Sequence, residues 1–232
     1  MFKMEHIAKV YRTELVETHA LRDFSLTVES GEFVAVTGPS GSGKTTFLNI
    51  AGLLESPSSG RYVLDDLDVS ELDDNARSRI RNQKIGFIFQ SFNLIPDLDV
   101  ADNVEVPLRY RGMKGGERRE RTEAALDLVG LGSRKRHLPA QLSGGQQQRV
   151  AIARALAGNP SCLLADEPTG NLDSLMARQV MELLEEINDR GTTIIMVTHD
   201  PELARRAQRN VHVLDGCVSD LEGELVGSAA IA

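Results

Sequence analysis

The most reactive spacing in the chain is Gly38-Pro39-Ser40-Gly41-Ser42-Gly43-Lys44-Thr45-Thr46, which contains G-x-x-x-x-G-K-[ST]. Glycine at 38, 41 and 43 lets the backbone curl until successive N–H groups point inward, and such a curl binds phosphate oxygens. Lys44 adds a point charge for the β- and γ-phosphates. The Thr45 hydroxyl suits Mg²⁺, which dehydrates reluctantly and takes few protein ligands. The ligand this loop predicts is ATP with its metal.

Two further segments add what a phosphate loop alone lacks. Cys162-Leu-Leu-Ala-Asp166-Glu167 sets two carboxylates directly after an apolar strand, where a second loop meets the first across neighbouring strands. Asp166 is the candidate for Mg²⁺-bound water, and Glu167 the candidate general base on the attacking water. In Leu142-Ser143-Gly144-Gly145-Gln146 a Ser-Gly-Gly turn opens a helix, which makes a second anion site from helix N–H groups and the helix dipole. One small chain does not need two phosphate sites. The simplest solution is that the second caps a nucleotide held by another copy, which predicts a pair with two-fold symmetry.

The elements that must position these residues can be read from periodicity. Phe33–Thr37, Ile85–Phe89, Cys162–Ala165 and Thr193–Thr198 are short runs apolar on both faces, the pattern of a parallel sheet covered by helices on both sides. Thr45–Leu53 starts as a helix, and Leu175–Asn188 repeats Met176, Val180, Leu183, Leu184 and Ile187 at helical spacing. Phe92–Ala140 turns polar and helical, with glycine turn signals. Leu26–Val28 and Gly60–Val69 look like antiparallel strands with a turn near Asp65-Asp66. The expected fold is α/β: a nucleotide-binding core with a mainly parallel sheet, an N-terminal antiparallel β subdomain and a helical subdomain that carries Ser143. The expected organisation is one domain over 1–222, with core segments 1–90 and 160–222, a helical subdomain at 91–159, and a tail at 223–232 that frays.

Composition narrows the function. With 232 residues, 41% hydrophobic and 26% charged, the chain suits one domain with an appended subdomain. A net charge of -8 argues against nucleic acid as partner, since such binding rests on a basic face. No apolar run approaches a membrane span, and Met1–Tyr11 carries Glu5 and His6 instead of a signal-like stretch. A cytoplasmic protein is expected, reaching a membrane only through a partner. Cys162 and Cys217 suggest neither a metal site nor a disulfide framework.

Taken together, the motifs resemble those of the nucleotide-binding subunit of an ATP-binding cassette (ABC) transporter, and the resemblance runs from Met4 to about Glu222. It implies that Gly38–Thr45 is the Walker A motif, Leu163–Glu167 the end of Walker B, and Leu142–Gln146 the signature motif, in the family's order. It implies that Gln90 links Mg²⁺ and the attacking water to the transporter, that His199 contacts the γ-phosphate, and that Asn171-Leu172-Asp173 is the D-loop at the dimer interface. Tyr11 matches the aromatic residue that stacks on adenine, which needs a flat face and no base-specific hydrogen bond. Lys44, Asp166, Glu167, Ser143 and His199 are all present, so hydrolysis is expected.

The segments Arg81–Gln90, Phe92–Ile95, Asn103–Pro107 and Ala165–Asn171 resemble one branch, that of lipoprotein-releasing and macrolide-exporter ATPases. The resemblance implies a homodimer closing on two ATP, driving a separate permease for export or mechanical release of a periplasmic or lipophilic substrate, with a periplasmic adaptor in some assemblies. Ser91–Tyr110 is then the permease docking surface, and the chain sits on the inner face of the cell membrane. The alternative is a regulatory ATPase of the cell-division type, controlling a periplasmic enzyme. Chromosome-maintenance relatives need a coiled-coil insertion for which Gln90 and Ser143 are too close, and translation-associated relatives carry two cassettes in one chain. The clusters Arg118-Arg119-Arg121 and Arg134-Lys135-Arg136 could face anionic headgroups or be solvated helix faces balanced by Glu117, Glu120 and Glu123.

Overall fold

Alternation along the central strands accounts for the architecture. In the computed structural model, which describes residues 2–13 and 16–220, strands β1 (Phe2–Arg12) and β2 (Glu17–Val28) precede β3 (Phe33–Thr37) and helix α1 (Lys44–Ala51). Next come β4 (Ser59–Leu64), β5 (Leu67–Asp68), α2 (Asp74–Lys84) and β6 (Ile85–Phe89). Helices α3 (Val100–Tyr110), α4 (Gly115–Leu128) and α5 (Gly144–Leu156) lead to β7 (Cys162–Asp166) and α6 (Ser174–Asp189). The described chain ends with β8 (Thr193–Val197), α7 (Pro201–Ala204), β9 (Arg209–Leu214) and β10 (Cys217–Asp220).

Phe33 and Ala35 enter one apolar cluster while Val34 and Val36 enter another. The same split divides Leu163 and Ala165 from Cys162 and Leu164, and Ile194 and Met196 from Ile195 and Val197. Each strand is therefore buried on both faces, as the two-sided apolar runs require. The first cluster includes residues of α3, α4, α5 and α6, and the second joins α1 to the antiparallel strands.

The larger sheet has the order β10-β9-β3-β8-β7-β6, parallel throughout except for β10. The smaller one, β2-β1-β4-β5, is antiparallel. Asp65 and Asp66, with φ of 49° and 63°, make the two-residue turn between β4 and β5. Tyr62, on β4, donates its hydroxyl to the Ala51 carbonyl at 2.8 Å and so ties this sheet to the end of α1.

The structure adds an element absent from the sequence reading. Helix α2 has no buried residue, so its sequence offered no apolar stripe. It is fixed at its start by Asp73, whose side chain accepts from Ala76 N, an N-cap that satisfies an otherwise unpaired amide. Cys217 opens β10 directly after the turn at Asp215-Gly216. The tail expected to fray at 223–232 lies outside the described residues.

Candidate nucleotide site

Register brings the chemistry together. Phe89 pairs with Asp166, Asp166 with Val197, and Val36 with Val197, so four parallel strands end in one row. From that row the chain delivers Gln90 after β6, Glu167 after β7, Thr198-His199 after β8, and Gly38 one residue past Thr37 of β3. Ligands in open parallel sheets bind beyond the carboxyl ends of the strands.

The loop after β3 curls as its glycines predict. Gly38 has φ +145°, and a Cβ there would fall 2.1 Å from the Val213 carbonyl oxygen. Gly43 has φ +107°, and a Cβ there would fall 2.5 Å from the Ala20 carbonyl oxygen. Lys44 donates to the carbonyls of Gly38 and Pro39, both at 2.8 Å. Pro39, Ser40 and Gly41 are exposed, as is Thr45 in the first turn of α1, while Thr46 is half-buried. Ser42 is 3% exposed and its hydroxyl has no partner among the described residues, an orphan that a phosphate oxygen would satisfy.

Asp166 and Glu167 stand side by side at the end of β7. Burial first, and then the charge of Glu167, hold the Asp166 carboxyl above its ordinary value, while Lys44 pulls it down. Two adjacent carboxylates, with Lys44 acting on Asp166, leave a local excess of negative charge, which a divalent cation would neutralise. Among the described residues no cluster of three or more His, Cys, Asp or Glu could hold a metal. That donor set fits an ion carried mainly by phosphate and water, as Mg²⁺ is.

Glu167 takes a left-handed φ of 45°. Its carboxylate accepts from the His199 amide at 3.0 Å, from His199 Nδ1 at 2.7 Å and from the Thr198 hydroxyl at 3.3 Å. Gln90 Nε2 donates to Asn171 Oδ1 at 3.3 Å, and Asn171 Nδ2 donates to the Gln90 carbonyl at 3.0 Å. Asp173 caps α6 through Leu175 N and Met176 N. Leu172 between them packs close to Gly144.

Ser143 caps α5 in a reciprocal box, its Oγ accepting from Gln146 N and Gln146 Oε1 accepting from Ser143 N. A Cβ at Gly144 would meet Leu172 and Phe92, and one at Gly145 would meet Met176. Tyr11 lies on β1, 39% exposed. Its hydroxyl donates to Glu55 Oε2 at 2.7 Å.

Sequence reasoning missed two residues of α5. Gln148 is fully buried and donates to the Pro168 carbonyl at 2.6 Å and to Phe89 O at 3.4 Å. Arg154 donates to the carbonyls of Phe92 and Asn93, just past Gln90. A signal for the first existed: Gly145, Gln148, Ile152 and Ala155 form a buried stripe at helical spacing, and an amide on such a stripe must find partners.

A cavity of about 900 Å³ lies between α2, β6, α3 and α5 and borders the turn after Gln90 through Phe89 and Asn93. Arg79, Arg81, Arg111 and Arg154 line it with no carboxylate, beside Pro107 and Tyr110. The basic clusters of the helical region pair instead with acids: Arg118 with Glu105, Arg121 with Glu117, Lys135 with Glu123 and Arg136 with Asp99.

Comparison with known proteins agrees with this geometry. The family model described as ABC transporter matches residues 21–170. The lipoprotein-releasing system ATP-binding protein LolD of Bordetella avium is 47% identical over 215 residues, 92% of this chain and 94% of that protein. The chain belongs to the ABC transporter family. The macrolide export ATP-binding/permease protein MacB of Syntrophobacter fumaroxidans is 48% identical over 226 residues, 96% of this chain but 32% of that protein. A dimeric structure of the ATP-binding cassette MJ0796 in a post-hydrolysis state, bound to ADP and Pi, covers 96% of this chain and 100% of its own at 44% identity, with a TM-score of 0.85. The cassette protein of that name is from Methanocaldococcus jannaschii.

Proposed function

We propose that this chain is the ATP-hydrolysing, nucleotide-binding subunit of an ABC transporter, working as an ATP-sandwiched homodimer that drives a separate membrane permease. The observation that carries the reading is the single row of strand ends that presents Gly38, Gln90, Glu167 and His199 to one space. A further support is the solved dimer of a similar cassette holding ADP and Pi.

In this reading Gly38–Thr46 wraps the phosphates, with backbone N–H groups and Lys44 offsetting their charge. Tyr11 stacks on the base. Thr45, Gln90 and Asp166 would hold Mg²⁺, which when bound polarises the phosphate oxygens. Glu167 takes the proton from the attacking water. His199 donates toward the γ-phosphate, and its contact with Glu167 holds both side chains at the strand ends. Ser143, Gly144, Gly145 and Gln146 reach the ATP of the second copy, and Asn171, Leu172 and Asp173 lie at the dimer interface. The pair of contacts between Gln90 and Asn171 ties the loop that meets the metal to the loop that meets the partner.

The permease docks at the cavity of Arg79, Arg111 and Tyr110, which overlaps the surface expected at Ser91–Tyr110. Among the described residues no helix is long and apolar enough to cross a membrane, so the permease brings the subunit to the cytoplasmic face. The likeness to LolD and MacB favours export or mechanical release of a lipophilic or periplasmic substrate, with an adaptor on the far side.

Glu167→Gln tests the core of this reading. The variant should lose turnover yet accumulate as an ATP-bound dimer on size exclusion with MgATP. A variant that stays monomeric at saturating MgATP would overturn the homodimer.

A further inference from the structure

Tyr11 does not stand alone on β1. Its hydroxyl donates to Glu55 Oε2 at 2.7 Å, and Glu55 Oε1 accepts from Asn49 Nδ2 of α1 at 3.1 Å. Lys9 Nζ lies 3.3 Å from Glu55 Oε2, donates to the Ser56 carbonyl at 2.8 Å, and sits 5.1 Å from the centroid of the Tyr11 ring. One carboxylate thus gathers three donors from β1 and the phosphate-loop helix.

The geometry has a consequence for the ring. A tyrosine on an exposed strand is free to turn about its side-chain torsions unless its hydroxyl is held. Here the hydroxyl is held by an ionised acceptor, the stronger kind of hydrogen bond. The Lys9 ammonium occupies one face of the ring, a cation–π contact, so a flat ligand can stack only on the opposite face. Glu55 fixes both partners at once, the ring through its hydroxyl and the ammonium through its charge. Burial pushes its carboxyl up most strongly of any single influence, but the hydrogen bonds from Tyr11, Lys9 and Asn49 and the Lys9 charge together hold it below its ordinary value.

We propose that Glu55 is the positioning residue of the base platform: it locks the Tyr11 ring in the orientation that stacks on the nucleotide base and anchors Lys9 against the ring's other face. The proposal rests on the reading of Tyr11 as the base-stacking residue. Glu55 itself touches neither phosphate nor base in this arrangement, so its removal should weaken only the part of binding that depends on the base.

The test compares two competing ligands of the full chain, MgATP and inorganic triphosphate, which has the phosphates and no base. Glu55→Ala should raise the KM for ATP three- to tenfold, with kcat at saturation and the inhibition constant of triphosphate unchanged. Glu55→Gln, which keeps an acceptor for the Tyr11 hydroxyl, should restore most of the ATP affinity. Tyr11→Ala should raise the KM for ATP at least as much as Glu55→Ala, and adding Glu55→Ala to it should change nothing further. If Tyr11→Ala weakens ATP while Glu55→Ala and Glu55→Gln do not, Glu55 has no positioning role. If Glu55→Ala weakens ATP and triphosphate together, it props the phosphate loop and the proposal is wrong. If Tyr11→Ala leaves ATP binding intact, the base-stacking reading fails and takes the proposal with it.

Discussion

Replacing Arg154 by methionine tests how the loop after Gln90 is held. Phe92 and Asn93 both have left-handed backbone, with φ of 58° and 50°, a conformation that costs a non-glycine residue about 1–2 kcal/mol. Their carbonyls both accept from the Arg154 guanidinium, and a hydrogen bond from a charged donor contributes about 1.5–3 kcal/mol net. Burial opposes this by pushing the Arg154 pKa down, and water can replace the lost donor at exposed Asn93. Methionine retains much of the aliphatic packing. The net loss should be about 2 kcal/mol, a Tm fall of roughly 4–8 °C for a domain of this size. The local effect should be larger than the global one in its consequences. Amide exchange at Phe92 and Asn93 should accelerate by up to about 30-fold, the population change that about 2 kcal/mol allows. Because Lys44 and the phosphate loop are untouched, ATP affinity should hold while kcat drops as Gln90 loses its fixed position. Arg154→Lys should fall between, since an ammonium cannot fork to both carbonyls as a guanidinium does. Exchange at Phe92 and Asn93 that matches the parent protein would refute the reasoning, even if turnover fell.

Three other expectations follow from the same contacts. Asp166 has a folded-state pKa above its ordinary value, so its ionised form costs stability at pH 7 and that cost lifts as pH falls through the raised pKa; Asp166→Asn should therefore raise the Tm of the nucleotide-free protein and shrink the further gain on adding MgATP, both read in thermal melts. Gln148→Leu removes the Gln148 donor from the Pro168 carbonyl and leaves Phe89 O with the Phe92 amide, and steady-state kinetics should show a lower kcat at unchanged KM. In Gln148→Glu at neutral pH the carboxylate can only accept, so kcat should fall at least as far as in Gln148→Leu. Tyr110 is 84% exposed beside the arginine-lined cavity, so Tyr110→Ala should leave Tm within about the shift of 0.5 kcal/mol typical of surface changes while lowering permease stimulation of ATP turnover.

The central strands were legible because burial on both faces forces unbroken apolar runs, as at Phe33–Thr37 and Thr193–Val197. The phosphate loop was legible because its glycines are steric necessities: a side chain at Gly38 would collide with the Val213 carbonyl. Helix α2 was not, since DNARSRIRNQK buries no residue fully; it is held by its cap, by Ile80 packing against the core and by polar contacts such as Arg81 donating to the Leu53 carbonyl at 2.6 Å. Arg154 was hidden for a different reason. Its partners are backbone carbonyls sixty residues earlier in the chain, and a carbonyl has no signature in a sequence. Periodicity reports which side chains leave water, and it is silent about which main-chain groups they meet.

The polar residues of α5 show what the helix that carries Ser143 is built to do. A helix N-terminus has four amides without intrahelical partners. The capping box uses Gln146 N and satisfies Ser143 N, which leaves the amides of Gly144 and Gly145 outside the box, at residues with no side chain to obstruct an anion. Further along, Gln148 grips the main chain beside Glu167 and Gln90, and Arg154 grips the turn that follows. In the proposed dimer, one helix would therefore offer at its tip an anion site for the other copy's nucleotide while, along its body, it supports the loops after β6 and β7. A phosphate bound at the tip, supplied by the second copy, would bear on the position of those loops through the helix alone. Coupling between the two sites of the proposed dimer would then need no long pathway, because the element proposed to meet the partner's nucleotide is also the element that holds the loops proposed for hydrolysis.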